Sequence, residues 1–279
     1  MAVRIVTDST SDLDPEVARA LGVEVVPLVL RFGTEEFLDG VEISAEEFYG
    51  RLATEKRLPG TSQPPAQAFA DVYSRIGAEG HEIVSIHLSS KISGTLNSAS
   101  VAREQVTPDV RVELIDSYSL SMGLGLIVEV AAKAAIEGAG FEEVIAVAKA
   151  AVGRSSVFVV IATTEYLRRG GRVSRMNALA GSFLNIKPMI QVIDGELVAI
   201  ERIRTWKRAI SHLEKAAFQD LNAERLHVAT SGSPHLAVQF AERLRPKMPH
   251  TEFTTGYLGP AIGVHTGPGA LGFCALARP

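Results

Sequence analysis

Four short polar clusters hold the residues of this 279-residue chain whose types and spacing suit chemistry: Thr7-Asp8-Ser9-Thr10, Gly60-Thr61-Ser62-Gln63-Pro64, Ser89-Ser90-Lys91-Ile92-Ser93-Gly94-Thr95, and Gly263-Val264-His265-Thr266-Gly267-Pro268-Gly269. Hydroxyls and free backbone N–H groups between the end of a strand and the start of a helix can converge on an anion, with the helix dipole behind them. The third cluster has that setting, because an apolar run at 82–88 precedes it and a helical pattern at 95–106 follows. Ser93 and Gly94 are therefore candidates to meet a carboxylate or a phosphate. Serines at such a place also simply cap helices, and both readings stand. Thr61 and Ser62 precede two prolines suited to a first helical turn, which offers the same donor geometry a second time, again with capping as the plainer account. In the fourth cluster three glycines and a proline surround His265 and Thr266, a composition that suits a sharp, rigid loop or a close backbone approach. A lone histidine is as readily structural as functional.

Other chemistries find less support. The seven histidines and one cysteine show no HxxxH, HExxH or CxxC spacing, so no metal site is expected. Gly-Lys-Ser/Thr is absent and no GxGxxG follows the first strand, which leaves nucleotide binding without a motif. Ser93, His265 and Asp116 can be drawn as a hydrolase or acyl-transferase triad, although no GxSxG elbow accompanies them. A phosphate-ligand sensor is a third reading of the same loops. The densest positive region is Arg168-Arg169-Gly170-Gly171-Arg172 with Arg175, joined later by Arg202, Arg204, Lys207 and Arg208. It reads equally as a solvated face and as a surface for an acidic or phosphate-carrying partner.

The elements that must position these residues follow from the pattern. A strand at 3–6, a polar loop and a helix at 13–21 with Pro15 in its first turn give way, after Gly22, to an apolar run at 23–30, the start of a parallel β-α-β layout. Strand 82–88, helix 95–106 and strand 110–115 repeat it, and 119–151 reads as two covering helices parted by Gly138-Ala139-Gly140. Past Arg154 the pattern changes to strands at 157–162, 188–193 and 197–203, with a hairpin turn predicted at Asp194-Gly195. A helix at 207–218, a strand at 226–230, a helix at 234–244 and strands at 252–256 and 270–277 complete the chain. The expected architecture is an α/β protein: an N-terminal α/β/α domain with a parallel sheet over 1–153, an α+β domain with a mixed or antiparallel sheet over 154–279, and a ligand site between them.

Apolar residues make up 46% and charged residues 22%, a globular balance, and the net charge of −4 is spread along the chain with no basic stripe for nucleic acid. Cys274 lies in an apolar run as a small core residue, which fits a reducing compartment. The first ten residues lack a secretory h-region, and the longest apolar stretch, Met122–Ile136, carries Glu129 and Lys133 and is too short to span a bilayer. A cytoplasmic protein with no integral membrane association is expected.

Six blocks, taken in order, resemble the DegV family, whose fatty-acid-binding members are called FakB. They are Val-Thr-Asp-Ser-Thr-Ser-Asp-Leu at 6–13, Thr-Ser-Gln-Pro at 61–64, Leu-Ser-Ser-Lys-Ile-Ser-Gly-Thr at 88–95, Leu-Arg-Arg-Gly-Gly-Arg-Val at 167–173, Leu-Asn-Ile-Lys-Pro at 184–188 and Gly-Val-His-Thr-Gly-Pro-Gly-Ala-Leu-Gly at 263–272. The resemblance spans nearly the whole chain. It implies a DegV-like two-domain fold enclosing one long-chain fatty acid, with no other cofactor. Its carboxylate contacts fall on Thr61, Ser62, Ser93, Gly94, His265 and Thr266. It further implies that a separate FakA-type kinase converts the bound acid to acyl phosphate for phospholipid synthesis, this chain having no turnover alone. Arg172 and Arg204, with Arg202 as a neighbour, match positions facing that kinase. Trp206 departs from the polar or basic residue expected there.

Overall fold

The computed structural model describes residues 2–55, 57–172, 186–219 and 222–279. Val173, Arg175, Leu184 and Asn185 of the motif blocks and basic run lie outside the described residues.

Four short parallel strands open the fold. Strand β1 (Val3–Asp8) lies between β2 (Glu24–Val26) and β6 (Glu82–His87), and β7 (Val112–Asp116) completes the order β2-β1-β6-β7. Helix α1 (Pro15–Ala20) starts where the Asp14 carboxylate accepts from the Glu16 N–H and Pro15 supplies a preset φ. One face of the sheet is covered by α3 (Ala66–Ala78) and α4 (Thr95–Gln105), whose Phe69, Tyr73, Ile76, Ala99 and Ala102 pack with Val6 and Ile83. The other face receives α5 (Met122–Ile136) and α6 (Phe141–Val152).

A six-stranded mixed sheet forms the second layer. It comprises β8 (Ser155–Val160), β9 (Lys187–Ile193), β10 (Glu196–Ile203), β11 (Ala223–Thr230), β12 (Glu252–Tyr257) and β13 (Leu271–Ala277), in the order β10-β9-β8-β13-β11-β12. Among the described residues of this sheet, only β11 and β12 run parallel as neighbours. The turn joining β9 to β10 places Asp194 at φ 50° and Gly195 at φ 79°, and two positive φ values in a row are what a two-residue hairpin needs to match the twist of its strands. Helices α8 (Trp206–Gln219) and α9 (Pro234–Leu244) cover the outer face, burying Ala209, Leu213, Phe240 and Leu244.

Helix α5 lies between the two sheets, touching β1 and β6 on one side and β8 and β13 on the other. A helix buried on both flanks has no need of a polar face, which accounts for its nearly unbroken apolar sequence. Of its two charged residues Lys133 is half exposed, and the buried Glu129 is paired with Arg225 of β11.

Two expectations are corrected. The run 23–30 is not one strand: it breaks at Pro27, which cannot donate to a ladder, and continues as β3 (Val29–Phe32) in a different sheet. There β3 pairs antiparallel with β4 (Glu35–Leu38) and with β5 (Gly60–Ser62). Thr61 and Ser62 therefore sit on a strand rather than at a helix start. Helix α2 (Ala45–Leu52), closed at its N-terminus by a Ser44–Glu47 capping box, completes this small layer. The second correction concerns His265 and Thr266: they end a short helix, α10 (Pro260–Thr266), and do not lie in a loop. Pro260 opens that helix, Gly267 at φ 67° stops it, and Ala261 and Val264 bury against Leu30 and Phe48 of the small layer.

Candidate ligand-binding site

The small layer packs against α10 and brings Thr61 to His265. Alternation along β5 sets Thr61 opposite Leu30 of β3, and its Oγ1 lies 3.0 Å from His265 Nε2. Burial, with the Arg172 guanidinium adding to it, pushes the imidazole pKa down to about 4, so the ring is neutral at physiological pH. Its other nitrogen, Nδ1, is buried without a hydrogen-bond partner among the described residues and faces Gly170, where a β-carbon would stand only 2.2 Å from it. Gly170 thus gives the ring its room. Arg172 Nη1 donates to the Gly170 carbonyl at 2.6 Å, which ties the arginine to the same corner.

The loop after β6 carries Ser93 and Gly94. Ser93 Oγ lies 3.0 Å from Thr95 Oγ1 and accepts from the Thr95 N–H at 3.3 Å, while Gly94 is the N-cap of α4 and brings no side-chain cap. Gln63, one residue past β5, lies so close to Gly94 that a β-carbon there would meet its Oε1 at 2.1 Å, and its Nε2 donates to Ser98 Oγ at 2.8 Å. Gln63 therefore links the Thr61-Ser62 strand to the Ser93-Gly94 loop. Nothing in its place within the Thr-Ser-Gln-Pro block at 61–64 marks it as that link.

Beside His265 and Thr266 lies an apolar channel, whose lining residues do not include Thr61, Ser62, Ser93 or Gly94. His265, Thr266 and Arg172 line it together with Ile92, Phe158 and Phe273, and the space free of atoms, counted with the solvent at its opening, comes to about 690 Å³. Phe158 and Phe273 stack with ring centres 5.0 Å apart in its wall. Ser121 and the buried Cys274 also line it, and burial raises the thiol to about 12, which leaves it inert. Arg202, opposite Pro188 in the β9–β10 ladder, and Arg204 just beyond the strand are exposed and are not among the lining residues. Trp206 opens α8, with Lys187 Nζ 5.8 Å from its ring centre.

The Thr7–Thr10 cluster proves to be a structural hub. Asp8 links to His87 Nδ1 at 2.9 Å, His87 Nε2 to Ser85 at 2.7 Å, and Ser85 to Tyr73 at 2.7 Å, all buried from solvent. Nearby, Asp12 accepts from Ser121 Oγ at 2.5 Å and Asp39 from Ser9 Oγ at 2.7 Å. Burial pushes both carboxyls up to about 7, with the neighbouring carboxylates adding to the rise. Sequence reading could not find these two, because nothing in the spacing of Asp12 and Asp39 announces that both approach the start of α10, at Gly259 and Ala261.

The triad alternative has no geometry behind it. Ser93 bonds Thr95, His265 bonds Thr61, and Asp116 accepts from the backbone of Ser90 and Tyr118. Among the described residues no group of three or more His, Cys, Asp and Glu side chains could hold a metal ion.

Comparison with known proteins settles the family. The model described as "Uncharacterised protein, DegV family" matches residues 2–278. The chain belongs to the DegV family. A DegV domain-containing protein of Clostridium perfringens is 35% identical over 287 residues, covering 100% of this chain and 99% of that protein. One from Streptomyces coelicolor is 36% identical over 281 residues, covering 99% of each. Among solved structures, a DegV family protein from Thermus thermophilus, described for its fatty acid binding, superposes with a TM-score of 0.91 at 33% identity, and the fatty-acid-binding DegV of Bacillus subtilis with 0.91 at 32%, each covering 100% of both chains. A stearic-acid-binding protein from Eubacterium ventriosum reaches 0.90 at 25% identity over 98% of this chain and 97% of its own. The α/β architecture with one parallel and one mixed sheet is thus the DegV fold.

Proposed function

We propose that this DegV-family chain binds one long-chain fatty acid in the apolar channel and presents its carboxylate to a separate ATP-dependent kinase of the FakA type, which converts it to acyl phosphate for phospholipid synthesis. The observation that carries the reading is the Thr61–His265 pair beside an apolar channel that His265 itself lines. Solved relatives with the same fold over their whole length bind fatty acids, which supports the first half directly.

The chemistry is a division of labour. About a dozen buried methylenes at roughly 0.8 kcal/mol each offer about 10 kcal/mol before entropy is subtracted, so the tail supplies the affinity. The head is oriented by neutral donors, the hydroxyls of Ser62, Ser93 and Thr266 and the one proton of the Thr61–His265 pair that the bond between them leaves free, with Gly94 leaving its backbone accessible and Arg172 as the nearby cation. Neutral donors suit a carboxylate that must later act as a nucleophile, because a tightly paired carboxylate would have its charge spent. Arg202 and Arg204, exposed on the β10 side, are assigned to the kinase-facing surface. The channel lies between the halves 1–153 and 154–279, and no helix among the described residues is long and apolar enough to cross a membrane. We assign the chain to the cytoplasm.

The test uses hydroxylamine, which traps acyl phosphate as a hydroxamate. Labelled palmitate, ATP and this chain together with the purified kinase of the same organism should yield palmitoyl hydroxamate, and omitting either protein should abolish it. Hydroxamate formed by this chain with ATP alone would contradict the division between carrier and kinase.

A further inference from the structure

The side of the channel that carries His265 and Thr266 rests on two buried acids that the ligand site does not use. Leu258, Ile262, His265 and Thr266 all line the channel, so α10 and the residue just before its cap form one wall. The start of that wall sits on Asp12 and Asp39. Asp12 Oδ1 lies so near Gly259 that a β-carbon there would meet it at 2.2 Å, and the backbone N–H groups of Gly259 and Ala261 face the two carboxyls. Asp12 Oδ2 accepts from Ser121 Oγ at 2.5 Å, and Ser121 is itself a lining residue. One acid thus reaches the channel wall through two separate elements.

Among the described residues no Lys, Arg or His is paired with either acid. What acts on them is hydroxyls, backbone N–H groups and like charge, the last from each other and from Asp8 of β1, which is bonded to His87. From α2, Tyr49 donates to the Leu258 carbonyl at 2.8 Å and stacks on Tyr257, and from β13 Cys274 faces Asp12. Burial raises the Tyr49 hydroxyl and the Cys274 thiol, so both stay protonated near neutrality. Oδ1 of each acid lacks a well-formed hydrogen bond among the described residues. That is costlier for a buried carboxylate than for a neutral acid, and burial accordingly raises both carboxyls from 3.8 to about 7.

We propose that Asp12 and Asp39 are positioning residues for the ligand site: as neutral acids they let the start of α10 seat on them, and as carboxylates they draw water beneath it and move the His265–Thr266 wall off the ligand. The proposal rests on the reading that the channel takes an acyl chain, and it adds that the grip on that chain depends on protons held beneath the wall. In the seated form the acids ionise only as pH passes about 7, whereas in a form that admits water they return toward 3.8 and are ionised already. Raising the pH through about 7 therefore favours the open form, and affinity falls with the seated fraction.

The test is palmitate affinity of the full chain, read by displacement of a fluorescent fatty acid from about pH 6 to about pH 8.5. The parent's affinity is expected to fall about tenfold over that range. Asp12→Asn combined with Asp39→Asn keeps the shapes and cannot ionise, so it should match the parent within about twofold at the acid end and stay flat to the alkaline end. A fall that persists in the double variant, no fall in the parent, or loss of binding at the acid end by a double variant that folds as the parent does would overturn the proposal. Titration calorimetry of the parent in two buffers of different ionisation enthalpy needs no variant: near pH 8, palmitate binding should take up roughly half a proton or more, and no uptake would equally overturn it. A parent chain that binds no palmitate at any pH would instead bring down the acyl-chain reading itself.

Discussion

Thr61 and His265 stand 204 residues apart in the chain and 3.0 Å apart in the fold, joined by a hydrogen bond between Oγ1 and Nε2. Because the ring is neutral, the bond can hold the imidazole without consuming a charge. Thr61→Val keeps the shape and deletes the hydroxyl. Palmitate affinity is expected to fall about tenfold with the unfolding midpoint little changed, since one donor to a charged group is worth roughly 1.5–3 kcal/mol. Calorimetric titration gives the number, and unchanged affinity would remove Thr61 from the site.

Gly170 makes room for the same ring. Alanine there suits the local helical backbone but brings a β-carbon to 2.2 Å from His265 Nδ1. Gly170→Ala is expected to lower fatty acid affinity several-fold while leaving stability near that of the parent, whereas Gly171→Ala, with open space around it but a φ of 72°, should lower stability and leave binding unchanged. Paired binding and thermal-unfolding measurements distinguish the two variants.

The Glu129–Arg225 pair lies between the sheets with side chains only 6% and 10% exposed. Removing Glu129 leaves Arg225 only its longer contact with the exposed Glu252, 3.5 Å away, so Glu129→Ala should cost about 3 kcal/mol in urea unfolding. Replacing both residues by methionine should recover most of the loss. A cost below about 1 kcal/mol for the single variant would place the pair with ordinary surface bridges.

Stability should respond to pH through opposed groups. Asp12 and Asp39, raised from 3.8 to about 7, keep protons in the folded chain that the unfolded chain releases, so their contribution is lost as pH rises from about 4 through 7. His265 and His227, lowered from 6.5 to about 4, remain neutral when folded, so theirs is lost as pH falls over nearly the same span. The parent's profile should be shallow. Asp12→Asn removes one side of the balance, and its stability relative to the parent should improve by on the order of 2 kcal/mol between pH 5 and pH 8, measured by urea unfolding. A difference independent of pH would show that Asp12 is ionised throughout.

Local rules carried much of the fold. The parallel β-α-β pattern, the Asp194-Gly195 hairpin and α9 at Pro234–Leu244 are each encoded within a dozen residues, where caps, turn types and periodicity act. The small antiparallel layer was not legible. Its β4, Glu-Glu-Phe-Leu, lacks alternation, and an apolar run hid the break at Pro27 although the proline itself was the warning. Likewise Pro260 and Gly267 bracket α10 as start and stop signals, yet the glycines between and after them read as a loop. In the site, Thr61, Ser93 and His265 drew attention as types, whereas Gln63, Gly170 and the Asp12–Asp39 pair owe their importance to neighbours far along the chain.

The central claim concerns the channel, and the direct measurement is the ligand content of the folded protein. Native mass spectrometry of freshly purified chain, followed by solvent extraction, should find one long-chain fatty acid per molecule, or uptake of one equivalent of palmitate after delipidation. Folded protein that carries no acyl chain and takes up none would contradict the account.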